Sequence, residues 1–176
     1  WLRSSGRMGE NIVTNEHLYS LGAFMFAFTV FWTYIAFSQF MLIWYGNISE
    51  ETIYYQMRGW AMGSKDTNQG WYCLTCGLVI LRFIIPFLML LSRKAKMCPK
   101  MLVTAAIIII IGEMVDLYWM IMPTLFPEGP RLPIWLLGPL LLASGLVLVG
   151  VGKMIAKEKM VPVGDPLFKK SVNFHL

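Results

Sequence analysis

The sequence predicts an all-α integral membrane protein: a bundle of four transmembrane helices, both termini in the cytoplasm, with a short interfacial helix in the outer loop joining the first two spans. Three observations carry that prediction. Hydrophobic residues make up 57% of the chain and charged residues 14%, whereas charged residues run to about a quarter of an ordinary soluble domain. The segments 19–45, 71–91, 101–122 and 134–156 are apolar over the roughly 20 residues of helix that a hydrocarbon core of about 30 Å requires. The loops between them divide by charge, as membrane topology demands.

The opening stretch, WLRSSGRMGENIVTNEH, begins at Trp1 and has no apolar run that would serve as a signal peptide. Residues 1–176 therefore read as a single membrane domain, the C-terminal bundle of a longer protein. After the first span, NISEETIYYQMRGW has Ser49 placed as an N-cap and Glu50 and Glu51 in the first turn. Ile53, Met57 and Trp60 recur at helical spacing, which predicts a short amphipathic helix on the outer surface with its Tyr and Trp in the aromatic belt, the rival reading being a floppy polar loop. Asn47-Ile48-Ser49 matches a glycosylation sequon, a pattern too short to carry weight alone.

Between the second and third spans, SRKAKMCPK holds Arg93, Lys94, Lys96 and Lys100 with no acid. Short Lys/Arg-rich loops stay in the cytoplasm, so this loop is inside. Arg3 and Arg7 before the first span, and Lys153, Lys157, Lys159, Lys169 and Lys170 at and after the end of the fourth, place both termini there too. The outer loops, 46–70 and 123–133, carry Glu50, Glu51, Asp66 and Glu128 against Arg58, Lys65 and Arg131. On the fourth span, Gly138, Ser144, Gly145, Gly150 and Gly152 suit close helix packing and carry no chemistry.

Cys73 and Cys76 form a CxxC at the outer end of the second span, with Cys98 on the opposite side. Zinc wants four ligands, and no His follows Cys76 as a c-type haem site requires, so these read as packing residues. His17 is an interfacial residue at the mouth of the first span, and His175 lies in the tail. There is no Gly-rich phosphate loop, no Ser/His/Asp set and no intramembrane His pair, and neither a metal nor a nucleic-acid partner is expected.

The informative residues are the charged ones inside the spans. An ionisable group in a membrane helix costs a few kcal/mol even on the mildest scale and is by default a functional candidate facing protein or water. Counting about 1.5 Å per residue from the cytoplasmic ends, Arg82 lies about 14 Å deep, Glu113 about 18 Å and Asp116 about 22 Å. Glu113 and Asp116 share a helix face at i, i+3 spacing, and Arg82 is in reach of Glu113 if that face meets the second span. Asp116 would then be the freer acid. On the first span, Tyr34 and Ser38, with Gln39 beside them, extend the polar ladder outward. Asp116, Glu113, Arg82, Tyr34, Ser38 and Gln39 are the candidate proton path, since a half-channel needs a file of groups able to hand a proton on. The rival reading is a structural Arg82–Glu113 salt bridge with hydroxyls bonded to their own backbone.

Three stretches carry a family resemblance: FAFTVFWTYIAFSQFMLIWYGNISEET (Phe26 to Thr52), GEMVDLYWMIMP (Gly112 to Pro123) and VPVGDPLFKKSVNFHL (Val161 to Leu176). They closely resemble the ActF family, the second of the NrfD-like quinone-binding membrane proteins in bacterial alternative complex III, the quinol:cytochrome c oxidoreductase. The likeness runs in order over nearly the whole chain, which corresponds to the last four-helix bundle of that family. The chain departs from the family at Ser49, where Pro is usual, at Glu113, where His is common, and at Lys169 and Lys170, where the tail is usually more acidic.

The resemblance implies a respiratory assembly of the bacterial inner (cytoplasmic) membrane that oxidises quinol and passes electrons through iron-sulfur and haem c subunits to an external acceptor. It implies no redox cofactor on this chain. Haem c and iron-sulfur clusters would belong to partner subunits, quinone or quinol would bind at the level of the complex with no residue here assigned to it, and the partners would be other membrane and periplasmic subunits and the bilayer. The part implied for this chain is support of the complex and proton movement, without catalysis of its own. Two other classes compete: a purely structural anchor, and part of an ion or solute transporter. A transporter calls for paired repeats and broken helices, and Pro86 and Pro139 are ordinary in membrane helices.

Overall fold

The computed structural model of the chain describes residues 14–60, 68–134, 137–157, 166–168 and 172. Arg3, Arg7, Lys65, Asp66, Lys159, Lys169, Lys170 and His175 lie outside the described residues. The described elements are all helical: α1 (Asn15–Gly46), α2 (Ser49–Gln56), α3 (Gln69–Val79), a π-helical turn (Ile80–Ile84), α4 (Ile85–Leu91), α5 (Arg93–Met97), α6 (Pro99–Leu125) and α7 (Leu137–Lys157). The chain divides into two compact units, Leu18–Arg131 on the one hand, and Trp1–His17 with Leu132–Leu176 on the other.

Among the described residues three helices are long and apolar enough to cross a membrane: Asn15–Gly46, Gln69–Leu91 and Pro99–Leu125. The sequence places a fourth span at 134–156. There α7 has a shorter apolar run, Leu141–Ala156, about 24 Å at 1.5 Å per residue against a hydrocarbon core of about 30 Å.

The Leu18–Arg131 unit wears its oil on the outside. Phe24, Leu42, Leu88 and Val103 are exposed, and the buried apolar cluster is small: Leu90, Leu102 and Ala105, flanked by Leu18, Met25, Phe26 and Met89. Helices in lipid gain little by hiding apolar surface from one another and associate through close backbone approach. Gly22 provides it on α1, where an added Cβ would lie 2.9 Å from Leu102. Gly112 provides it on α6, where a Cβ would meet Arg82 at 3.3 Å.

The π turn has a local cause. Pro86 has no N–H to give the carbonyl of Arg82, and its ring would clash with that carbonyl in a regular α-helix. The chain widens instead, and the Ile85 N–H reaches back to Ile80 O, five residues before it. Such single π turns recur at functional sites, and this one contains Arg82.

Loop chemistry fixes the end that carries α2. Asn47 takes a left-handed φ of 45° and its N–H bonds Ile43 O at 3.1 Å, closing α1. Gly59, at φ 77°, ends α2 in a Schellman motif: Trp60 N–H bonds Tyr55 O and Gly59 N–H bonds Gln56 O, each at 3.0 Å. Asn68 caps α3 by accepting from Gly70 and Trp71 N–H and donates to Pro127 O. Trp71 donates to Phe126 O at 3.0 Å and stacks on Tyr118.

The short helix predicted after the first span forms as α2, with two corrections. Its N-cap is Ile48, without a side-chain hydrogen bond, and Ser49 is already helical. The face turned into the protein is Thr52 and Tyr55, while Ile53 and Met57 point outward and are exposed. The reason is that the rings of Tyr54 and Tyr55 find Trp119 on α6 and that of Tyr55 finds Phe40 on α1, leaving the aliphatic stripe as the outer surface. Trp60 leaves that stripe and packs on Phe40 and Tyr72.

Candidate functional site

Arg82, Glu113 and Asp116 come together. The π turn presents Arg82 to α6 at the level of Gly112, and the i, i+3 spacing of the two acids puts both within its reach. Arg82 Nη2 pairs with Glu113 Oε2, and Arg82 Nε lies 3.6 Å from Asp116 Oδ2. That second distance is an ion pair without a hydrogen bond. The same Oδ2 accepts from Trp32 Nε1 on α1 at 3.0 Å, and the Arg82 guanidinium lies 4.7 Å over the Trp32 ring. The four side chains form one knot joining all three long helices.

The two carboxylates differ in a way opposite to the sequence expectation. Asp116 is 9% exposed, held by Trp32 and Arg82. The Glu113 side chain is 46% exposed against 11% for Arg82. Glu113 is therefore the freer acid, because Asp116 falls on the seam of three helices and Glu113, one turn back, falls on its edge. Two Arg82 nitrogens, Nε and Nη1, are buried without a hydrogen bond, so the guanidinium retains unused donor capacity beside two acids.

The outward ladder is not assembled. Tyr34 is 66% exposed and Gln39 is exposed, while Ser38 is half-buried. Tyr34 follows Trp32 by two residues, about 200° around the helix, so with Trp32 turned to Asp116 the phenol faces away from the acids. The hydroxyls that do bond on α1 are Thr29, to Met25 O, and Thr33, to Thr29 O, as residues bonding back along their own helix do.

A second buried cation escaped sequence reading. Arg58, in the turn after α2, is 2% exposed. Its Nη1 donates to Tyr54 O at 2.6 Å and Nη2 to Met120 O at 2.7 Å, with the guanidinium 3.5 Å over the Tyr54 ring and 4.8 Å from that of Trp119. Thr75 accepts from Trp119 Nε1 at 2.7 Å and donates to Arg58 O at 3.1 Å. Burial lowers the Arg58 pKa and raises those of both tyrosines, Tyr55 to about 12. No carboxylate pairs with Arg58 among the described residues. The only hint in the sequence is one arginine three and four residues after a Tyr-Tyr pair in an otherwise acidic helix. Trp32 was likewise hidden in an aromatic run.

The cysteines are free thiols, Cys73 exposed and Cys76 and Cys98 half-buried, and among the described residues no three His, Cys, Asp or Glu side chains form a group able to hold a metal. His17 Nδ1 accepts from Thr14 N–H at 3.2 Å and lies 2.7 Å from the Thr14 hydroxyl, within the first turn of α1. No protein-family model matches the chain, and no curated protein sequence does.

Proposed function

We propose that this chain is a membrane subunit of a quinol-oxidising respiratory complex of the alternative complex III type, that residues 134–156 complete its bundle as a fourth span, and that its charged knot exchanges protons. The family resemblance of the stretches 26–52, 112–123 and 161–176 supports the first part. The observation that supports the last is that Arg82 is shared by two acids within the apolar helices. One guanidinium against two carboxylates leaves one negative charge in excess, and one proton cancels it. Glu113, the half-exposed member, takes and releases that proton, while Trp32 and Arg82 hold Asp116 in place. Since Tyr34 and Gln39 do not reach the knot, the remaining steps of the route run through water or through side chains of a neighbouring protein in the complex. Haem c, iron-sulfur clusters and quinol belong to the assembled complex.

One observation favours a structural anchor instead: Asp116 is nearly buried and already has two partners. The two readings separate in one experiment on the native complex reconstituted in vesicles. For proton exchange, Glu113→Gln lowers proton uptake per quinol oxidised by half or more while quinol oxidation persists. For the anchor, Arg82→Met with Glu113→Met leaves coupled activity intact. Absence of haem and iron-sulfur subunits from the purified complex would remove the respiratory assignment altogether.

A further inference from the structure

We infer that the corner where α1, α5 and the start of α6 meet is a binding site for the phosphate of an anionic phospholipid. The inference rests on the three membrane-crossing helices alone and stands apart from the respiratory reading.

The corner is built rather than loose. The backbones of α1 and α5 are pressed together at buried Gly22, where an added Cβ would lie 3.0 Å from Lys96 Cβ and 2.9 Å from Leu102 on α6. Two cations spaced i, i+3 on α5 converge on one ring of α1. The Arg93 guanidinium lies 5.3 Å and the Lys96 amine 5.6 Å from the Tyr19 centroid, with Lys96 also 4.7 Å from that of Phe26. Lys94 and Lys100 are exposed. Among the described residues none of the four cations forms an ion pair. Contact with a ring face holds a cation without neutralising it, so a phosphate meeting Arg93 and Lys96 finds N–H donors and positive charge together.

The surroundings suit a lipid better than a soluble anion. Leu91 at the end of α4 and Met101 on α6, which flank the basic segment in sequence, are exposed apolar side chains. Basic segments at a membrane helix end attract anionic lipid by about fivefold for each Lys or Arg near the surface.

The test uses the full chain in nanodiscs of phosphatidylcholine alone, or of phosphatidylcholine with phosphatidylglycerol, and spin-labelled lipids of both kinds. We expect immobilised phosphatidylglycerol to exceed immobilised phosphatidylcholine by roughly fivefold or more. Arg93→Gln with Lys96→Gln lowers the ratio severalfold. Arg131→Gln, at the other end of the bundle, leaves it unchanged. Should the first pair perturb helicity, Lys94→Gln with Lys100→Gln serves in its place and lowers the ratio severalfold. Equal immobilisation of the two lipids in the unsubstituted protein, or a preference that survives both pairs, overturns the proposal. So does loss of the preference to millimolar inorganic phosphate, which would mark the corner as a general anion site.

Discussion

Arg58 is bound as an arginine must be bound when no acid is available. A guanidinium presents a planar fork of donors and a face that stacks on rings, and here the fork spans the carbonyls of Tyr54 and Met120 while the face lies on Tyr54. An ammonium cannot reach both carbonyls from one point. Arg58→Met is expected to cost about 3 kcal/mol, because charge-assisted hydrogen bonds of roughly 1.5–3 kcal/mol are lost and buried acceptors are left unmet. Arg58→Lys recovers little of it. Thermal unfolding of the two variants in detergent checks this, and stability restored by Lys would mean that charge alone mattered. The Arg82 knot follows a different rule at the same scale: its cation faces two acids, and the carboxylate at the knot's edge, Glu113, is half-exposed while Asp116 is nearly buried.

At the scale of elements, the shape of α6 and the π turn decide whether that knot exists. Gly112 lets Arg82 lie against the α6 backbone, and Pro86 forces the widening that contains Arg82. The approach can be titrated by side-chain size. Gly112→Ala brings a methyl to 3.3 Å from Arg82 Cβ, which requires a shift of only a few tenths of an ångström. The helix propensity gained, about 1 kcal/mol, offsets the crowding. Gly112→Leu has no such slack and should cost about 1–3 kcal/mol through overpacking, parting Arg82 from Asp116. Unfolding curves for the two variants are the measurement, and equal losses would show that contact at Gly112 is not what seats Arg82. The legibility of elements also varied. Proline, asparagine and glycine at 47, 59, 68 and 86 mark where helices start, stop or deform, but nothing in the local pattern tells which face of α2 turns inward. That depended on rings contributed by α1 and α6.

At the scale of the whole molecule, the charge asymmetry of the loops is a statement about orientation that the cysteines can test. Cys73 is exposed about 6 Å inside the start of α3, counting 1.5 Å per residue from Gln69, and Cys98 lies in the basic turn before α6. A membrane-impermeant maleimide is expected to label Cys73 and spare Cys98 in sealed right-side-out vesicles, and to do the reverse in inverted ones. Labelling of Cys98 from outside would invert the topology read from Arg93, Lys94, Lys96 and Lys100.

By itself the sequence determined that the chain is helical and apolar enough for a membrane, where its helices begin and end to within a few residues, and that Arg82, Glu113 and Asp116 lie at neighbouring depths. Those properties are local: composition, run length and a rise of about 1.5 Å per residue suffice for them. Only the tertiary structure decided that Trp32 completes the knot, that Glu113 rather than Asp116 is the open acid, that Tyr34 faces away, and that Arg58 is buried. Each of these depends on the rotation of one helix about its axis relative to the next. In a helix that is apolar on every side, the sequence has no polar face from which that rotation can be read.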